Sequence, residues 1–169
     1  MLDQLIKLVE QNAGDAIVQN KAVPNEYNSA AIQDVAEQIF NGLKGQVSQG
    51  NMQQVAAMFS GGNTNALTGN PMVAQMISSI TSNLATKFGV SPQIAQNIAS
   101  GLIPQVMNQF VNKTNNPDDP DFDLQDMMRN FSGNSNLDIG SVLGKLAGGS
   151  SQQGLGNVGD VLGKLFGGK

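Results

Sequence analysis

The chain has no histidine, no cysteine and no tryptophan, and its only tyrosine is Tyr27. Each absence removes a class of chemistry. Without histidine there is no Ser-His or Cys-His nucleophile pair and no histidine metal site. Without cysteine there is no disulfide, no thiolate nucleophile and no zinc-thiolate centre, and cysteine usage says nothing of the redox compartment. Charge is also scarce. Charged residues are 13% of 169, about half the usual share, and Asn and Gln replace them as the solvating surface. The net charge is −4 and the sole arginine is Arg129, which argues against nucleic acid or an anionic membrane surface as the default partner. No apolar run approaches the roughly 20 residues of a transmembrane helix. The stretch from Met1 to Lys7 alternates charged and apolar residues and lacks a signal peptide's unbroken apolar core. The expectation is a soluble cytoplasmic protein.

What the chain does contain is helical periodicity, nowhere better punctuated than between Asn70 and Val111. Asn70-Pro71 is a helix start, because Asn accepts from the orphan amides of the first turn and Pro gives up a bond never available there. Met72, Val73, Met76, Ile77, Ile80, Leu84 and Phe88 then recur at the spacing of one buried helical face. Gly89 stands where a left-handed residue ends a helix. Ser91-Pro92 restarts the chain, and Ile94, Ala95, Ile98, Leu102, Val106 and Phe110 carry a second stripe. Pro104 falls inside that stripe near Gly101, so the spacing predicts a bent helix or two short ones.

The pattern around Leu84-Ala85, Gly89-Val90-Ser91, Ile94 and Ile98 is also that of a helix-turn-helix DNA reader. On that template Gln93, Gln96, Asn97 and Ser100 would face the bases. Phosphate contacts require cations, and only Lys87 and Lys113 flank the segment. A packing corner needs no more than small residues and a glycine, and that is the expectation here.

Upstream, residues 2–20 read as an amphipathic helix with Leu2, Leu5, Ile6, Val9, Ala13, Ala16 and Ile17 on one side and a weak point at Gly14. A second helix is predicted over 29–49, with Ile32, Val35, Ala36, Ile39, Leu43 and Val47 as its stripe. Gly50-Asn51 ends it and caps a short third helix through Val55, Met58 and Phe59. Residues 60–65 are turn chemistry throughout. Downstream, Pro117 and Pro120 break a polar connector. Asp123 is placed to cap a helix holding Leu124, Met127, Met128 and Phe131. Alternation of strand period is missing throughout. The fold class is therefore all-α: a small multihelical bundle with a Gly-Val-Ser-Pro corner, over residues 1–131.

From 132 to 169 the composition turns glycine-rich and repeats itself. Ile139-Gly140-Ser141-Val142-Leu143-Gly144-Lys145-Leu146-Ala147-Gly148-Gly149 returns nineteen residues later as Val158-Gly159-Asp160-Val161-Leu162-Gly163-Lys164-Leu165-Phe166-Gly167-Gly168. Each copy is a helix of two turns at most, with glycine every fourth residue, a spacing that lets another helix approach closely. Helices this short do not persist alone in water, so the expectation is that they dock on the domain, on each other, on another chain or on a membrane, or else stay disordered. The candidate interaction residues are Ile139, Val142, Leu143 and Leu146 in the first copy. In the second they are Val158, Val161, Leu162, Leu165 and Phe166.

Little else carries chemistry. Ser141/Lys145 and Lys44/Ser48 have the spacing of a Ser-Lys dyad, but a lysine base must be desolvated and these settings are polar or glycine-rich. Asp118, Asp119, Asp121 and Asp123 could gather a hard cation, yet the loop glycine and distal glutamate of a calcium loop are missing. Turns and a helix cap account for them. No catalytic, cofactor-binding or metal-binding residue is assigned, and no small-molecule substrate is implied. The function expected is a non-enzymatic protein-interaction or self-assembly module working through the C-terminal repeats, with a protein partner or a homo-oligomer. The alternative is peripheral membrane association through the same repeats, each having an apolar face and a lysine.

The hinge segment resembles the YidB-like family, bacterial domains of unknown function. The residues that carry it are Leu67-Thr68-Gly69-Asn70-Pro71, Leu84-Ala85-Thr86-Lys87-Phe88-Gly89-Val90-Ser91, Ala95, Leu102-Ile103-Pro104 and the connector up to Met128. The family's glycine-valine elbow and its leucine-proline helix step are both met. The likeness spans about residues 60–131, and is looser in the N-terminal helices and the glycine-rich repeats. It implies a small bacterial helical bundle and supplies no activity, cofactor or catalytic residue. The tail is longer than in the shortest members.

Overall fold

The computed structural model describes residues 1–60, 67, 69–116, 118–136, 138, 140, 141 and 144. Among them there are six α-helices and no strand: α1 Leu2–Asn12, α2 Asn28–Gln46, α3 Met52–Ser60, α4 Pro71–Phe88, α5 Pro92–Thr114 and α6 Leu124–Ser132. The all-α expectation holds. Among the described residues no helix is long and apolar enough to cross a membrane.

The helix ends follow the local chemistry. Asn70 Oδ1 accepts from the Met72 amide at 2.9 Å ahead of Pro71. Asp123 Oδ1 accepts from the amides of Gln125 and Asp126 at 2.8 and 3.0 Å. Gly89 and Gly133 end α4 and α6 in the left-handed region. After α2 the chain makes one wide turn, Val47–Asn51, in which Gly50 sits at φ 90°, so the α2 stripe extends to buried Val47 and α3 starts at once. Ser91 departs from its expected role. Its backbone has cap geometry, but its hydroxyl makes no cap bond.

Two other expectations are refined. The first helix does not run to residue 20: α1 stops at Asn12, and Gly14–Val18 forms a separate wide turn. Ala13 and Ile17 are buried nonetheless, so the break swings the chain without losing the stripe. At Pro104, α5 is one helix of 23 residues rather than two short ones. The carbonyl that proline leaves unbonded belongs to Ser100, an exposed residue beside exposed Gly101, on the solvent side of the helix where the loss costs least.

α2 meets α1, α3, α4 and α6; among the described residues the longest helix is α5. It packs against α4, α1, α3, the Gly14–Val18 turn and the short helical turn Pro120–Phe122. Its buried face is accordingly broader than one stripe, adding Ala99, Ile103, Met107 and Val111 to the residues expected. Phe110 sits at its heart. Phe59 lies edge-on to it at 4.9 Å between ring centres, and Phe122 does so at 5.8 Å. A second aromatic pair, Phe40 and Phe131 at 5.4 Å, holds α6 onto α2. The residues of the described core run from Leu5 to Phe131.

Amides supply much of the polar tying between elements. Asn12 and Gln109 exchange two side-chain bonds of 2.9 and 3.1 Å between α1 and α5. Gln46 donates to Gln75 at 3.1 Å between α2 and α4. Asn115 donates to the Phe59 carbonyl, fastening the end of α5 to the end of α3.

Candidate interaction surfaces

The residues on which an interaction was expected, Ile139, Val142, Leu143, Leu146, Val158, Val161, Leu162, Leu165 and Phe166, lie outside the described residues. The approach to the first repeat is described. Asp138 accepts from the Gly140 amide and from the Ser141 hydroxyl, each at 2.9 Å. Those bonds hold its carboxyl below the ordinary aspartate range, the Ser141 hydroxyl contributing most. Gly140, Ser141 and Gly144 are helical. Asp138 thus acts as an N-cap that the periodicity did not single out, although an Asp two residues ahead of a Gly-Ser helical start is a readable sign.

At the corner, Gly89 has φ 65° and ψ 17°. Gln93, Gln96, Asn97 and Ser100 form an exposed face on α5, as a DNA-reading template would place them. The two flanking cations are both engaged with carboxylates. Lys87 pairs with Asp34 on α2, and Lys113 pairs with Asp119 at 3.3 Å while lying 5.3 Å over the Phe122 ring.

Asp34 is the buried charged residue among those described, at 7% exposure. Its neighbours are Lys87 and, at 3.4 Å, the Gln38 amide. The hydrogen bond to Asp34, then its negative charge, raises the Lys87 pKa above 10.5, and Glu37 adds to the effect. This pair joins the last turn of α4 to α2 and so fixes where the corner leaves the bundle. Sequence reasoning missed it, because the partners are 53 residues apart.

The acidic connector is put to structural use. Asp119 holds Lys113 and Asp123 caps α6. Among the described residues no group of three or more acidic side chains is placed to hold a metal. The Ser48 hydroxyl of the Lys44/Ser48 pair donates to the Lys44 carbonyl at 2.9 Å. In the other pair the Ser141 hydroxyl is bonded to Asp138, and Lys145 lies outside the described residues.

An open groove of about 560 Å³ lies between the end of α2, α3 and the start of α4. A second hollow of about 290 Å³ continues it along α2 and α4. Gln46, Met72 and Gln75 line both, and the Gln46–Gln75 bond crosses between them. Among the described residues no charged side chain lines either one. Met72 and Met76 are buried at the floor and Met58 is half-buried in one wall. Gly42 lies against this floor, where a Cβ would meet Met76 Cγ at 3.2 Å and press on its side chain.

An all-α bundle with a capped glycine corner, an amide-rich surface and an uncharged groove is a class of architecture rather than a known activity. The particular family follows from the chain itself: residues 70–169 match the family described as bacterial protein of unknown function (DUF937), and the chain belongs to it. The match starts at the Asn70 cap and takes in α4, α5, α6 and the whole tail. This corrects the narrower span of about 60–131, because the glycine-rich repeats lie inside the family match and not at its loose end. No match is found among curated proteins or solved structures.

Proposed function

We propose that the protein is a non-enzymatic interaction or assembly module that works through its C-terminal glycine-rich repeats. The observation that carries this reading is the tandem repeat itself, two apolar faces bordered by glycines on segments too short to be stable alone. Such segments need a surface to cover them. The lack of histidine and cysteine, and the engagement of the Ser48 and Ser141 hydroxyls in local bonds, count against an enzymatic reading. Pairing of Lys87 and Lys113 with carboxylates counts against a DNA-binding one.

The test is deletion of residues 137–169, followed by solution mass and capture of partners from the native host. Loss of an oligomer or of a captured partner supports the proposal, and an unchanged result on both counts sinks it. A second reading, peripheral membrane association, is favoured by the lysine in each repeat, Lys145 and Lys164. Flotation with anionic and with neutral liposomes tests it, and failure to float with either removes it.

A further inference from the structure

We propose that Met58 is an oxidation site: a hydroperoxide entering the groove between α2, α3 and α4 converts its thioether to the sulfoxide, and the side-chain amide of Asn70 holds the new oxygen.

With no cysteine, the oxidisable sulfur of the chain resides in its eight methionines, and burial separates them. Met107, Met127 and Met128 are fully enclosed, and Met72 and Met76 lie on the groove floor at 7% and 4% exposure. A peroxide reaches these five only when the bundle opens. Met1, Met52 and Met58 are partly exposed. Of the three, Met58 is the one whose sulfur meets a polar side chain among the described residues: Asn70 Nδ2 stands 3.9 Å from its Sδ. The groove beside it is lined, among the described residues, by amides and apolar groups, so a neutral peroxide meets no ion pair on the way in.

The step balances on these atoms. A sulfur lone pair attacks one peroxide oxygen, the S–O bond forms and the O–O bond breaks. Sulfur is oxidised by two electrons and the peroxide is reduced to water or an alcohol. The proton on the transferred oxygen passes to the departing one.

Asn70 is suited to the product. Its Oδ1 is already engaged, accepting from the Met72 amide at 2.9 Å as the cap of α4, which leaves Nδ2 for Met58. A thioether is a weak acceptor, and at 3.9 Å it holds that amide loosely. An oxygen bonded to the same sulfur can sit bent between the two groups and accept from the N–H at an ordinary distance of about 2.9 Å. The cap is kept, α3 gains a polar tie to the start of α4, and the groove exchanges an apolar edge for a strong acceptor.

The full chain is treated with hydrogen peroxide while folded, and conversion of each methionine is followed by peptide mass spectrometry. Met58 should oxidise at least about tenfold faster than Met72 and Met76, its neighbours in the groove, which wait on opening of the bundle. Unfolding in urea should erase that difference. Equal rates at the three in the folded chain overturn the proposal. In heteronuclear NMR spectra, oxidation should move an Asn70 side-chain amide proton downfield. The same treatment of Met58→Leu, which loses the sulfur at little change in volume, should leave that proton in place. An Asn70 signal that stays fixed in the oxidised chain, or that moves equally in Met58→Leu, overturns the assignment of Asn70 as the partner of the oxygen.

Discussion

Gly89 and Gly101 differ by twelve positions and by one property that decides what an added methyl group does. A Cβ built at either meets nothing within 4 Å, so steric clash plays no part. Gly89 sits at φ 65°, ψ 17° as the C-cap of α4, where an L-residue costs about 1–2 kcal/mol. Gly101 lies inside α5 and is exposed, where alanine gains roughly 0.5–1 kcal/mol through lower chain entropy in the unfolded state and better helix propensity. For a chain of this size each kcal/mol moves Tm by roughly 2–4 °C. Gly89→Ala should therefore lower Tm by about 2–8 °C and Gly101→Ala raise it by about 1–4 °C. Gly89→Asn should recover part of the loss, since Asn tolerates the left-handed region. Thermal and urea unfolding followed by far-ultraviolet circular dichroism gives the numbers. If both alanine variants shift stability in the same direction, backbone conformation is not what selects glycine at the corner, and the account of the fold's central joint fails.

Three further outcomes follow from the packing and the polar ties. Phe110→Ala should cost about 3–5 kcal/mol, and a double-mutant cycle with Phe59→Leu should show coupling of about 0.5–1.5 kcal/mol from their edge-on contact; urea midpoints report both, and additive losses would deny the contact. Lys87→Met should destabilise more than Asp34→Asn, because it leaves a carboxylate of 9% exposure with only Gln38 beside it, whereas the lysine left by the other change is 55% exposed. As the folded state holds the Lys87 proton more tightly than 10.5 implies, the pair's contribution is complete below the ordinary lysine range and is lost as pH rises through the higher folded value. The gap in urea midpoint between wild type and Lys87→Met should then be constant from pH 8 to about 10 and close above that. Asp123→Ala should cost about 1 kcal/mol in Tm measurements through loss of two accepted amide bonds, while Asp123→Asn should recover most of it.

Much of the candidate surface was not legible in the sequence. The groove depends on Gly42 lying under Met76, 34 positions away, and on Gln46 reaching Gln75. Met76 stands on the apolar stripe, but Gly42, Gln46 and Gln75 do not, because amides and a glycine on a helix look like ordinary solvent-facing positions. The DNA-reader template shows the opposite error. It placed Gln93, Gln96, Asn97 and Ser100 correctly on an exposed face, yet exposure of amides is shared by much of this surface and carries no chemistry of its own.

By itself the sequence determined the all-helical class, several caps and the corner. Asn70-Pro71, Gly50, Gly89 and Asp123 act on backbone groups within a few residues, and the apolar spacing marks each buried face, so these features need no knowledge of distant chain. Tertiary structure alone decided which helices meet, that α5 passes through Pro104 unbroken, and that Asp34 is buried against Lys87. Those outcomes hang on which faces meet in space. A local pattern states that a face wants burial, and only the assembled bundle says against what.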